Sequence, residues 1–382
     1  MALRSLGNKL SQLQPGGSGF SGGPAPLAID FGASALKLLL VSGNDRSSLG
    51  AAAMVATPEE LVDKPVDRLT YQIDALAPLI KAAGIKAKRA VASIPTSMTH
   101  CKLVRAQAGE SGRLDEGVGS ALALQFGRDP STIVHRHYVL GDDSRGSGKT
   151  DAIAIAAMRE HVDRIIGAIH NARLEPVGIH NEFTAIQNAF ESGPSKGEKS
   201  DESVMYLDIG FGSTKVVIVH GSRVAFVRAF EFGGTHLDRM LEKQLKLHRV
   251  EAQKQRLSLS SCSPGGSAEG PAVAVAEPAI GPRPDLSEGI EAIRDEVSAC
   301  LRFHESVYPG RGVDRLVFCG GESRHTPMCE SLARALRIRS QVADPLARLS
   351  RSGGEVALGV DVNQSQPGWA VAYGLCVSPT DL

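Results

Sequence analysis

Ala28-Ile29-Asp30-Phe31-Gly32-Ala33-Ser34-Ala35-Leu36-Lys37 puts an acidic residue at the end of an apolar strand, then a Gly with small residues in a tight turn, then a returning apolar strand. Such a hairpin is built around an anion. Residues without bulk let backbone N–H groups approach phosphate oxygens, and a Lys seven positions after the Asp can carry its ammonium to the outer phosphates. A carboxylate beside phosphates needs a cation between them. Mg2+ keeps much of its water and borrows one or two carboxylates, so it meets that need. Asp30, Gly32, Ala33, Ser34, Ala35 and Lys37 are therefore read as phosphate-binding, with Asp30 also anchoring the metal directly or through water.

A single D-x-G turn is common in hairpins that bind nothing. Here the pattern returns as Leu207-Asp208-Ile209-Gly210-Phe211-Gly212-Ser213-Thr214-Lys215. The recurrence assigns Asp208, Gly210, Gly212, Ser213, Thr214 and Lys215 to the same phosphates, and Asp208 to the same Mg2+. Around the two loops the chain alternates strands and helices in two halves. Strand pairs are expected at 27–31 with 36–41 and at 203–208 with 215–220. A helix at 159–173 leads into a strand at 176–180 and a helix at 182–192 that links the halves; a helix at 286–307, a strand at 314–319, and helices at 326–336 and 369–376 follow. The halves read as an internal duplication.

The chain of 382 residues is long enough for two domains with their own cores. Lys plus Arg (42) cancels Asp plus Glu (42), which leaves no global field to draw the protein to nucleic acid or an anionic bilayer. The six cysteines are scattered, without a CxxC pair, which suits free thiols in the cytoplasm. No apolar run is long enough to cross a bilayer, and the N-terminus lacks the apolar core of a signal peptide. Residues 14–26 are a Gly-, Ser- and Pro-rich leader, and 259–286 a second such stretch, read as a disordered surface insertion. Leu3, Leu6, Leu10 and Leu13 recur at helical spacing and could dock on a membrane or partner, but a frayed terminus is the preferred reading.

Two decoys are set aside. Arg145-Gly146-Ser147-Gly148-Lys149-Thr150 ends like a Walker A loop, but Asp143 stands where its first Gly belongs and a strand follows instead of a helix, so a polar hairpin turn is expected. His135 and His137 alternate along a strand and share one face; they could bind metal, but no third ligand is visible and an exposed strand face is expected.

Paired hairpins of this kind resemble the phosphate motifs of actin, sugar kinases, DnaK chaperones and FtsA. The resemblance implies an α/β fold of the actin-like, ribonuclease H-like duplicated type that binds ATP and Mg2+. Phe318-Cys319-Gly320-Gly321-Glu322-Ser323 before a helix is similar to the adenosine motif, so Gly320, Gly321 and Glu322 join the nucleotide-binding set. Gly233-Gly234-Thr235 opens a helix, adding Gly234. Val250-Glu251-Ala252-Gln253-Lys254 resembles the A-E-x-x-K segment, where Glu251 would accept the ribose hydroxyls and Lys254 would cover the adenine. Glu182 matches the position that orients the attacking water, and is the candidate general base against a simpler capping role. Relatives often carry an acidic residue or His where Lys215 stands, so fast hydrolysis is not implied.

Between Ser93-Ile94-Pro95 and the linking helix, the order strand (101–105), helix (114–126), two strands (133–140, 151–157) and helix (159–172) resembles the 1C subdomain of PilM-like type IV pilus assembly proteins, and more distantly of FtsA. Trp369-Ala370-Val371-Ala372-Tyr373-Gly374-Leu375 is also PilM-like, and the resemblance covers roughly 27–376. It implies a leader at 1–26, subdomain 1A at 27–100, 1C at 101–173, a return to 1A with the connecting helix at 174–200, a second domain at 201–345 and a final return to 1A at 346–382. It further implies a cytoplasmic ATP-binding scaffold at the inner face of the membrane, holding the N-terminal tail of a PilN-like inner-membrane protein in a groove between 1A and 1C. Contacts with other pilus or secretion components and self-association stay open. The alternatives are an FtsA-like filament former and a small-molecule kinase, though no segment clearly supplies a kinase's catalytic Asp.

Overall fold

The computed structural model describes residues 25–43, 46–140, 148–191, 202–259 and 284–380. Nearly all of the leader with its Leu repeat, most of the 259–286 stretch, and Arg145 to Ser147 lie outside the described residues.

The first hairpin is β1 (Leu27–Phe31) and β2 (Ala35–Ser42), followed by β3 (Ser48–Ala56), α1 (Pro65–Ala82) and β4 (Arg89–Ile94). Every residue of β1 is buried, because strands pair with it on both sides and both of its faces are covered. Its one polar member, Asp30, stands at the end where the hairpin turns. α1 covers one face of this sheet with Leu69, Leu76 and Leu79, a stripe at helical spacing.

Next come β5 (Thr99–Ala106), α2 (Leu114–Phe126), β6 (Ile133–Val139), β7 (Thr150–Met158) and α3 (Arg159–Asn171). They build a separate antiparallel sheet in the order β5-β7-β6, with its own core of Val104, Val118, Leu122 and Ile133. The strand expected after Lys149 is therefore present. The chain re-enters the first sheet through β8 (Glu175–Asn181), parallel to β4, and continues into α4 (Glu182–Glu191).

The second half contains β9 (Ser203–Ile209), β10 (Thr214–His220), β11 (Arg223–Phe230), α5 (Gly234–Leu245), α6 (Arg249–Leu259), α7 (Ser287–Val307), β12 (Arg315–Cys319), α8 (Thr326–Leu336) and β13 (Arg339–Val342). Then β14 (Val356–Leu358) and α9 (Ala370–Cys376) return to the first half. The sheet orders are β14-β3-β2-β1-β4-β8 and β11-β10-β9-β12-β13. Apart from β14 these are one pattern twice over. In each, a three-strand antiparallel meander is extended by two parallel strands beside its first strand. The duplication read from two loops extends to whole sheets.

Among the described residues no helix is long and apolar enough to cross a membrane. The five described cysteines, all but Cys101 buried, are free thiols.

Candidate functional site

Backbone pairing positions the first charges of the site. Asp30 sits opposite Lys37 across the first hairpin, and Asp208 sits opposite Lys215 across the second. Each Lys therefore lies beside its own Asp, because directly opposed residues in an antiparallel pair present their side chains on the same face. Lys37 Nζ lies 3.7 Å from Asp30 Oδ2 and donates to the Gly368 carbonyl at 2.5 Å. Lys215 Nζ is 3.4 Å from Asp208 Oδ1 and 2.7 Å from Glu182 Oε2. Glu182 opens α4, and its other oxygen accepts the Thr96 N–H at 2.9 Å.

The two hairpin tips meet: a Cβ placed on Gly212 would stand 3.2 Å from the Ala33 Cβ. Behind them is a buried cluster of three carboxylates, Asp30, Asp208 and Glu182, with two ammonium groups. Burial pushes the Asp30 carboxyl up to about 6 despite Lys37, and the nearby Glu182 adds to the rise. Burial also works against the charged forms of Lys215 and Glu182. Asp208 and Glu182 outweigh it for Lys215, whose ammonium is held above the ordinary lysine range; Lys215 outweighs it for Glu182, whose carboxyl is held below its usual value. The pair Lys215–Glu182 is thus settled as ions, while Asp30 is left short of positive charge. The donor set fits a divalent cation: a hard oxygen ligand, under-neutralised, beside two turns of small residues.

Gly32, Ala33, Gly210, Gly212 and Ser213 are half-buried and Ser34 is exposed, so the turns present backbone to the space in front of the cluster. Ala35 and Thr214, by contrast, are buried, and the Thr214 hydroxyl donates to the Phe232 carbonyl at 2.7 Å. The floor is made of Gly pairs. Gly234 and Thr235 donate their N–H groups to the Gly210 and Phe211 carbonyls at 3.1 and 2.9 Å, which stacks the start of α5 on the second hairpin. Gly320 turns with φ 88°, and a Cβ there would come within 2.4 Å of the Ile209 carbonyl oxygen, so only Gly passes. Gly321 beside it is exposed.

Three expected residues sit differently from the rest. Glu322 is buried and ion-paired with Arg256, whose Nε also reaches Asp238 Oδ1 at 2.5 Å. Burial raises the Glu322 carboxyl, opposed by the Arg256 guanidinium. Glu322 is thus a strut joining α6 and α5 to the Gly320 turn. Glu251 and Lys254 lie on the exposed side of α6, while Ala252 and Arg256, one turn apart, form its buried stripe. Sequence reading missed Arg256. The available signal was its i,i+4 relation to Ala252.

The His135–His137 pair corrects the exposed strand face expected for it. α2 covers that face, the side chains are 12% and 18% exposed, and Asp115 stands between them. Asp115 is far off in the chain and was invisible as a partner until α2 packed on β6.

Two matched sheets, each sending a D-x-G hairpin to a shared cluster, define a protein of the actin-like ATPase fold. The family model of the type IV pilus assembly protein PilM matches residues 28–263, and the chain belongs to that family. A solved PilM-PilN type IV pilus biogenesis complex aligns with a TM-score of 0.72 at 20% identity, over 93% of this chain and 99% of the other. The ethanolamine utilization protein EutJ from Carboxydothermus hydrogenoformans aligns with a TM-score of 0.50 at 14% identity, over 98% of this chain and 96% of the other.

Proposed function

We propose that this type IV pilus assembly protein is an ATP-binding scaffold. In this reading Mg2+·ATP lies between the hairpins of Asp30 and Asp208, and the protein receives the cytoplasmic N-terminal tail of a PilN-like inner-membrane protein in a groove between the first sheet and the β5-β7-β6 sheet. The observation that carries the nucleotide reading is the doubled Asp–Lys hairpin with its tips in contact, backed by a buried cluster that lacks positive charge at Asp30. When bound, Mg2+ would supply that charge beside the phosphates. Asp30 and Asp208 would hold it, the turn residues Gly32 to Ser34 and Phe211 to Ser213 would offer their backbone to the phosphates with Lys37 beside them, and the Gly320-Gly321 turn would carry the adenosine. Glu251 and Lys254 flank the base from α6.

Glu182 is the only carboxylate of the cluster at the head of the linking helix, and its ion pair with Lys215 makes it a weak proton acceptor. ATP is therefore held and at most slowly hydrolysed, so nucleotide acts by stabilising one arrangement of the two halves. The family and the fold shared with a PilM-PilN complex support the choice of partner. They also support a place at the inner face of the cytoplasmic membrane, reached through that partner.

Two measurements test this reading. Fluorescent-ATP titration with Mg2+ should give saturable binding to wild type and a loss of at least about tenfold in Asp208→Ala, since removing a metal-anchoring carboxylate leaves the cation under-coordinated. A synthetic PilN-type tail peptide should bind wild type more tightly with ATP than without. Equal peptide binding by folded wild type and Asp30→Ala protein under saturating ATP would overturn the coupling.

A further inference from the structure

The three-residue cluster on the β5-β7-β6 sheet lies apart from the phosphate hairpins and is not used by the proposed nucleotide chemistry. β6 alternates, so Ile133, His135 and His137 face α2, while Tyr138 points the other way and meets Thr184 of α4 at 2.7 Å. Asp115 lies in the first turn of α2, where the helix dipole favours a carboxylate. Its Oδ1 stands 3.2 Å from His135 Nε2 and 3.7 Å from His137 Nδ1. The imidazole rings lie face to face, with centroids 6.1 Å apart. One potential ligand atom from each residue falls within 4.8 Å of the other two.

Two features separate this cluster from an ordinary His–Asp contact. The Nε2 of His135 is buried yet makes no aligned hydrogen bond, so a buried polar atom is left aimed at the centre of the cluster. The imidazole nitrogens also converge on one carboxylate oxygen, Nε2 from His135 and Nδ1 from His137, so the three groups meet at one place and not in separate pairs.

We propose that Asp115, His135 and His137 form a binding site for one divalent transition cation of the imidazole-preferring kind, typified by Zn2+. Two imidazoles and one carboxylate are the donor set of such ions, whereas Mg2+ and Ca2+ take oxygen ligands. Zn–N and Zn–O distances of about 2.0–2.2 Å require the three side chains to close in by small rotamer changes. Both histidines sit on a rigid strand and the Asp on the first turn of a helix, so the cation would clamp α2 to β6 and stiffen the sheet. With three protein ligands, further positions remain for water or for a side chain from a docking partner.

The test uses the full chain without a polyhistidine tag, titrated calorimetrically with Zn2+ in a non-chelating buffer, with Mg2+ as the control. A 1:1 event is expected with Zn2+ and none at this site with Mg2+. Asp115→Asn and His137→Ala should each weaken it by at least about tenfold, as loss of a metal ligand does. Far-UV circular dichroism and metal-free melting temperature report whether each variant is folded; His137→Asn serves if His137→Ala is not. Amide exchange in α2 should slow on Zn2+ addition in wild type alone. Failure of the 1:1 event, or equal Zn2+ affinity in folded wild type and both variants, would overturn the proposal and leave the trio as a hydrogen-bonding group.

Discussion

Asp30 is where burial and function oppose each other. Its carboxyl ordinarily titrates at 3.8 but is raised to about 6 in the folded chain, mainly by burial. Between those values the folded state binds more protons than the unfolded state, so stability falls as pH rises through this window and levels off above it. In metal- and nucleotide-free buffer, Asp30→Asn should abolish that slope and raise stability at pH 7.5 by roughly 1–3 kcal/mol, measured by urea unfolding at several pH values. The same variant should bind Mg2+·ATP less well, and this opposite sign separates a functional carboxylate from a structural one. Arg256 is the reverse case. Arg256→Ala strands Glu322 and Asp238 as buried carboxylates, so a loss of about 3–5 kcal/mol is expected in denaturant midpoints.

At the scale of elements, the hairpins owe their function to register. Asp opposite Lys in both pairs aims four charges at one place, and a shift of one residue would turn them to the other face. α4, which links the halves, is packed against α9. Gly374 of α9 lies against the Ala185 backbone of α4, where an added Cβ would come within 1.8 Å of the carbonyl oxygen. Gly374→Val should therefore push α9 away and cost about 1–3 kcal/mol or more, seen as a lower melting temperature. Because α4 begins with Glu182, that displacement should also weaken nucleotide binding without any contact to the ligand.

Across the whole molecule, ion pairs bridge the halves at the edge of the cleft. Arg239 of α5 reaches Asp63 at 2.5 Å, and Arg249 of α6 reaches Asp63 at 3.4 Å and Glu59 at 3.6 Å. These are largely exposed contacts, each worth about 0.2–1 kcal/mol and screened by salt, so they bias closure without locking it. Asp63→Ala should leave global stability within about 1 kcal/mol of wild type while enlarging the radius of gyration in solution scattering. High salt should reproduce that change in wild type and add little in the variant. Unchanged scattering in Asp63→Ala would mean that these ion pairs do not set how closely the halves approach.

By itself the sequence determined the two hairpins and the helices and strands that link them, but not β3, α1, β11, β13 or β14. Buried strands such as Leu27–Phe31 read as apolar runs ended by an Asp, and spacing along the chain sets hairpin register, so these signals are local. The order of helix and strands at 101–172 was legible for the same reason, and so was the family. Only the tertiary structure decided which charges pair with which. Beyond its hairpin neighbour Asp208, Lys215 takes Glu182, Glu322 takes Arg256, and Asp115 joins His135 and His137, through contacts between separate elements. Local pattern shows that a side chain is charged and which face it lies on. The partner that faces it is set by packing of separate elements, a property of the folded chain that no window of sequence contains.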